Sequence, residues 1–158
     1  MNRTVNAIQA LPFIPIGIRI AILRLCGIKV GRGVTLFSQT FFGSNKCEIG
    51  DDCFISVQCL IDGSDFVRLG KNVHLAMGVK LITSFHEFGP PCQRAGPGAK
   101  ASIMIGDGCW LGASSLVLPG VEIASGCIIG AGAVVVRNTI SNGLYIGVPA
   151  KRVKDLNS

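Results

Sequence analysis

The stretch "TSFHEF", Thr83 to Phe88, sets an imidazole beside a carboxylate at the mouth of a run thick with proline, glycine and basic residues. An imidazole has a reference pKa of about 6.5, so at neutral pH it can take a proton from a hydroxyl or an amine as either attacks an electrophile. Glu87 could orient the ring of His86, although adjacency alone suits a solvated carboxylate equally well. The second histidine, His74, reads as a surface residue. Metal chemistry has less to work with. The seven cysteines are an odd number, and none forms a CxxC or CxxH pair with zinc-ligand spacing.

The elements that must carry His86 follow from an internal period. Ile105, Leu111, Val117, Ile123, Ile129 and Val135 recur every six residues. Cys109, Ser115, Val121, Cys127 and Ala133, all small or β-branched, stand four residues after successive members of that series. Upstream, Ile49, Ile55 and Ile61 keep the same spacing, and Leu69, Leu75 and Leu81 resume it after a two-residue slip. Cys53, Cys59, Val73 and Val79 fill the small slot there, and Val30 and Leu36 begin the pattern. No α-helix reads a period of six. On a strand, residues two apart share a face, so the small residue and the next aliphatic both turn inward and the residue between them turns outward. Each hexad therefore predicts a short strand and a corner, and stacked hexads bury one aliphatic ladder per face.

Counting on this frame puts Trp110 and His74 outward. From Leu81 it puts Phe85 in the inward slot and His86 outward. Pro90, Pro91, Gly96, Pro97 and Gly98 forbid further hexads, so an excursion loop is expected at 87–102. A loop of that length in a compact domain is usually functional or disordered. An outward histidine at its root is either a solvated surface group or a catalytic one.

Composition agrees with a single domain whose core is aliphatic. Hydrophobic residues make up 49% of the 158 and aromatics 6%, with 21 glycines for corners. The formal net charge of +6 suits an anionic ligand, a polyanion or an acidic lipid surface without choosing among them. No aromatic interleaving or basic helix accompanies it, which discounts nucleic acid. Four of the cysteines occupy the small slot, as expected of reduced packing residues in a cytosolic protein. In "IQALPFIPIGIRIAILRLCGI", Arg19 and Arg24 interrupt the apolar stretch, so no membrane-spanning helix is expected, nor a signal peptide. Residues 1–27 read as a helical cap on the coil, with a helix lying on a membrane surface as the alternative. The coil takes 28–154 and a tail 155–158.

The hexads, "TSFHEF" with its following excursion, and "IGDGCWLGASSLVLPGVEI" together resemble the hexapeptide-repeat acetyltransferases. The likeness is to the galactoside and maltose enzymes and to the O-acetyltransferases of polysaccharide biosynthesis, and it covers about residues 28–154. It implies an all-β fold, a left-handed parallel β-helix with three hexads per triangular coil. It implies acetyl-CoA as cosubstrate, no metal, and direct transfer to a sugar hydroxyl with His86 as general base. Trp110 and Ala131 correspond to contacts along the pantetheine arm, and Ala113 to the backbone donor for the oxyanion. Arg137, Lys151 and Lys154 correspond to basic residues near the nucleotide phosphates, each equally readable as a solvated cation.

Acceptor positions read Ser56 and Ser64 where galactoside enzymes carry Asn and Asp, which argues against a simple galactoside acceptor. The leading segment "LPFIPIGIRIAILRLCGIKVG" resembles that of polysaccharide-biosynthesis O-acetyltransferases, which implies a lipid-linked or nucleotide-linked sugar. The resemblance also implies a homotrimer with active sites between subunits. The cysteines place the chain in the cytoplasm, and the N-terminal segment would let it sit at the inner face of the membrane. Three alternatives remain in view. An N-acetyltransferase acting on an amino sugar would use the same base. A non-catalytic trimeric scaffold would need no histidine beside a long excursion. A zinc hydratase on the same coil lacks its third histidine ligand.

Overall fold

Because aliphatic and small residues alternate with polar ones at hexad spacing, each short strand can bury only one side, and such sides must close on each other. The structure, a computed structural model describing residues 3–156, does this with three parallel sheets visited in rotation over about six turns. The first face stacks Lys29–Val30, Cys47–Ile49, Val67–Leu69, Ile103–Ile105 and Glu122–Ile123. The second stacks Thr35–Leu36, Phe54–Ile55, His74–Leu75, Trp110–Leu111, Ile128–Ile129 and Gly143–Ile146. The third stacks Phe41–Phe42, Leu60–Ile61, Lys80–Leu81, Leu116–Val117 and Val134–Val135.

Register is kept residue on residue. Ile55 pairs with Leu75, Leu75 with Leu111, and Leu111 with Ile129, and all four are fully buried. Each such side chain contributes about 1.5–3 kcal/mol by leaving water. The small slot is buried too, and its cysteines have a reason beyond size. Cys53, Cys59, Cys109 and Cys127 direct their thiols at the carbonyls of Gly70, Ala76, Ala124 and Ile140, at 3.0, 3.2, 3.2 and 3.2 Å. A thiol there fills the space of a small apolar group and gives a corner carbonyl a weak donor. Burial pushes the Cys59 and Cys109 thiols up to about 11 and that of Cys47 up to about 12, so none is a ready nucleophile. Successive coils approach closely at the corners. A Cβ on Gly50 would collide with the Gly70 carbonyl.

Open strand edges at both ends are covered. Helix α1 (Arg3–Ala10) lies along Phe41–Phe42, where the Asn6 amide donates to the Phe42 carbonyl (2.6 Å) and accepts from its N–H (3.1 Å), as a neighbouring strand would. Helix α2 (Ile16–Leu25) drives Leu23 into the first coil. Arg19, buried, donates to the carbonyls of Gln9, Ile14 and Leu11 and so locks the turn between the helices. At the far end Lys151–Asp155 runs back antiparallel along Gly143–Ile146. Of the tail expected at 155–158, Asp155 therefore still belongs to a strand, and residues 157–158 lie outside the described residues, as do residues 1–2 of the cap.

The excursion differs from expectation. It begins at Ser84 rather than Glu87, and it is an antiparallel ribbon, Ser84–Phe88 paired with Ala95–Lys100. Pro97 is accommodated because the ribbon has two strands only and breaks register between His86 and Phe88. Phe85 does not take the inward slot. It is 44% exposed, and Thr83 is the last inward residue of the coil. The chain turns out there because Asp62 holds it: its Oδ2 accepts from the Thr83 hydroxyl (2.8 Å) and from the Thr83 N–H (3.1 Å). The Ala101 N–H then donates to the Thr83 carbonyl at 2.9 Å and closes the neck.

Candidate functional site

His86 sits mid-strand on the exposed ribbon, opposite Gly98. Its Nδ1 lies 2.8 Å from the Gly96 carbonyl oxygen. A carbonyl can only accept, so the neutral ring carries its proton on Nδ1 and keeps the Nε2 lone pair free. The orienting partner is thus a backbone oxygen of the opposite strand and not Glu87, which is exposed one residue away. Directly cross-strand neighbours share a face. Gly98 has no side chain, and nothing stands within 4 Å of where one would begin. The imidazole therefore has open space beside it.

Two further residues fix the base of the ribbon. Burial alone would raise the Asp62 carboxyl, but hydrogen bonds from Thr83, Ser84 and Ser64 hold it below the usual carboxylate value. Neither Asp62 nor Thr83 was singled out by sequence reasoning. The signal was available: Asp62 fills the corner place just after an inward aliphatic, where Gly50, Gly70, Gly106, Gly112 and Gly130 stand in other hexads. Ser64, at the same corner, gives its hydroxyl to Asp62 Oδ1 at 3.1 Å. Arg137 follows Val135 at this corner as well and is exposed.

The remaining candidates lie elsewhere. Trp110 is 53% exposed on the second face, in register between His74 and Ile128. His74 is exposed, but it belongs to a stacked column: its ring lies 5.4 Å from Phe54, nearly parallel, and Phe54 in turn contacts Phe37. Ala113 and Ala131 are one coil apart at the corner joining the second and third faces. Neither N–H meets an acceptor among the described residues, whereas the matching groups of Lys71 and Asp107 at the adjacent corner donate to Asp107 Oδ1 (2.8 Å) and Ser125 Oγ (3.2 Å). Ser56, half-buried, is on the Ala113 corner two coils below. Lys151 and Lys154 are exposed on the final strand of the second face, opposite Ile146 and Leu144.

The candidates thus fall into two sets. His86, Ser64 and Arg137 belong to the corner between the third and first faces. Trp110, Ala113, Ala131, Ser56, Lys151 and Lys154 belong to the second face and its corner with the third. In a three-sided prism, the ribbon's corner is the one the second face does not touch. On one chain the two sets face apart. Among the described residues no group of three His, Cys, Asp or Glu side chains is placed to hold a metal ion.

Comparison with known proteins agrees with this architecture. Residues 102–137 match the bacterial transferase hexapeptide family (six repeats), and residues 46–82 match the hexapeptide repeat of succinyl-transferase. An acetyltransferase-like protein of Schizosaccharomyces pombe is 34% identical over 122 residues, which is 77% of this chain and 53% of that protein. The galactoside O-acetyltransferase of Escherichia coli (strain K12) is 29% identical over 116 residues, 73% of this chain and 57% of that one. The chain spans about half the length of these curated relatives. A solved galactoside acetyltransferase in complex with coenzyme A has the same fold, with a TM-score of 0.90 over 98% of this chain and 78% of that chain at 23% identity. With its repeats matched on both sides of the ribbon and its coils stacked as a parallel β-helix, the chain carries the hexapeptide repeat and has the fold of the hexapeptide-repeat acetyltransferases that it resembles.

Proposed function

We propose that this protein moves an acetyl group from acetyl-CoA to a hydroxyl of a sugar or polysaccharide precursor, at sites completed between neighbouring copies of a homotrimer. The observation that carries this reading is the bond between His86 Nδ1 and the Gly96 carbonyl, which leaves a basic nitrogen on an exposed ribbon. Acetyl-CoA supplies an activated thioester. Its long pantetheine arm offers amide carbonyls, and the unpartnered N–H groups of Ala113 and Ala131, one coil apart beside Trp110, suit such a ligand. That a solved relative of the same fold is in complex with coenzyme A supports the assignment. Lys151 and Lys154 beyond them would meet the phosphates, and Arg137 would do so from the neighbouring copy.

His86 Nε2 takes the hydroxyl proton as the acceptor oxygen bonds to the thioester carbonyl carbon. The Ala113 N–H donates to the oxyanion that develops there. As the carbon–sulfur bond breaks, the imidazolium returns its proton to the leaving sulfur. No cysteine is needed, in keeping with the raised thiol values of the core.

The separation of the two sets of residues supports the trimer. Closed threefold symmetry sets the ribbon corner of one copy against the second face of the next, with Ser64 and Ser56 brought to the acceptor from opposite sides. The seven free cysteines support a reducing compartment, the cytoplasm. The test follows release of free CoA thiol from acetyl-CoA against a panel of hydroxyl and amino sugars. Turnover with a hydroxyl sugar that disappears in His86→Ala is expected. Turnover unchanged in that variant would refute the general base, and turnover with amino sugars alone would refute the O-acetyl assignment.

A further inference from the structure

The N-terminal cap faces two ways, and its outer side has no role in the coil. In α2 the buried residues are Arg19 and Leu23. A helix with one buried stripe ordinarily turns a polar face to water. Here the outward side is mostly apolar, with Ile18, Ala21 and Leu25 exposed beside the single cation Arg24 and with Ile22 half-buried at its edge. Leu25 is 87% exposed, and Phe13, in the turn between the helices, 75%. Between the helices lies a groove of about 290 Å³ lined by Val5, Ile8, Ile22, Leu25 and Cys26, without one polar side chain. Among the described residues no helix is long and apolar enough to cross a membrane.

Charge says what covers this surface. The first 47 residues hold six of the fifteen Lys and Arg and none of the nine Asp and Glu, so the whole formal net charge of +6 is concentrated there. Arg19 and Arg24 are occupied within the cap, the latter on the carbonyls of Val30 and Gly31 at 2.9 and 2.7 Å. Lys29, Arg32 and Lys46 remain exposed around the first coil. Glu48 lies 3.9 Å from the Lys29 ammonium, and Asp51 Oδ1 accepts from the Arg32 backbone N–H at 2.8 Å, while no ion pair is formed by the Arg32 or Lys46 side chain among the described residues. Two copies meeting through this region would press like charges together. An anionic lipid surface would neutralise them while its acyl boundary takes up the apolar side chains.

We infer that the N-terminal cap docks on an anionic lipid bilayer, seating Phe13, Ile18 and Leu25 at the headgroup boundary with Lys29 and Arg32 against the phosphates. The inference stands on this chain's own surface, whatever reaction it performs. A threefold assembly would strengthen it by presenting three caps at one end.

The test is co-sedimentation of the full chain with vesicles of phosphatidylglycerol and phosphatidylcholine, against vesicles of phosphatidylcholine alone. Binding to the anionic vesicles is expected to be about tenfold tighter or more, and to weaken with added salt. The double variant Phe13→Ser with Leu25→Ser, both at exposed positions, is expected to lose about tenfold or more. Should that variant misfold by circular dichroism, Lys29→Gln with Arg32→Gln decides, with a comparable loss expected on anionic vesicles alone. No binding to either vesicle, or binding that none of these changes weakens, overturns the proposal. So does self-association without lipid that the Phe13 and Leu25 changes abolish, because the surface would then belong to a second copy.

Discussion

A proton held on Nδ1 of His86 by a backbone oxygen makes the ring's competence independent of any acidic side chain. Replacing Glu87 with Gln is therefore expected to leave turnover within about threefold, while His86→Ala lowers kcat by about 10²–10⁴-fold at an unchanged melting temperature. Gly98 offers a sharper probe. A Cβ there meets nothing within 4 Å, and a leucine built on it would stand beside the imidazole across the ribbon. Gly98→Leu should keep the fold, shown by circular dichroism, and raise the acceptor KM or lower kcat in the thiol-release assay. His86 was singled out by the family resemblance, because the hexad frame stops at Thr83 and the ribbon, not a hexad, exposes the ring. Gly96 was not, because a carbonyl ten residues further on becomes a partner only through a ribbon whose register includes a bulge. The cysteines were legible as packing residues but not as donors to corner carbonyls. Alkylation should label Cys92 in the native protein and reach Cys47, Cys53, Cys59, Cys109 and Cys127 only after denaturation, by mass spectrometry.

Among elements, the strands were readable and the ribbon was not. Hexad spacing placed every inward aliphatic from Ile49 to Leu81 and from Ile105 to Val135 where the structure buries it. It failed at Phe85 because a periodic count runs on until a proline stops it, whereas the chain departs where a hydrogen-bonded clasp makes departure cheaper. That clasp is Asp62 on Thr83, and it titrates. The carboxyl lies below its ordinary value in the folded chain. Its contribution is thus complete above the unfolded value of about 3.9 and is lost as pH falls through the lower folded value. Exchange of the Ala101 amide, which closes the neck, should accelerate over that acidic window relative to amides deep in the coil. Asp62→Asn should remove the pH dependence. Asp62→Ala should cost about 1–3 kcal/mol by leaving the Thr83 donors unpaired, with turnover falling further than that loss of stability accounts for.

At the scale of the whole molecule, the separation of the two sets of residues makes the strongest demand. If catalysis needs the ribbon of one copy and the second face of the next, then His86→Ala and Trp110→Ala chains, each impaired alone, should regain activity when co-refolded as mixed trimers. Sedimentation velocity should show a single trimeric species, and a mixture that stays as inactive as its components would place both halves on one chain. The coil itself follows from the repeat, since each turn contacts only its neighbours and stability accumulates along it. Its handedness came from the resemblance, because six-residue spacing is indifferent to hand. How copies meet was open to the family likeness alone, since outward residues carry no period that names a partner.

The neck joining Thr83 to Ala101 leaves the prism around it intact. Leu81 pairs directly with Val117 and Leu69 with Ile105, as if the seventeen residues from Ser84 to Lys100 were absent. His86 therefore rides on a cassette that can be lengthened, exchanged or cut away while the scaffold underneath keeps its register. A graft from a relative with a different acceptor would transplant the proton-handling arm whole, and a short turn in its place would leave a folded, silent prism.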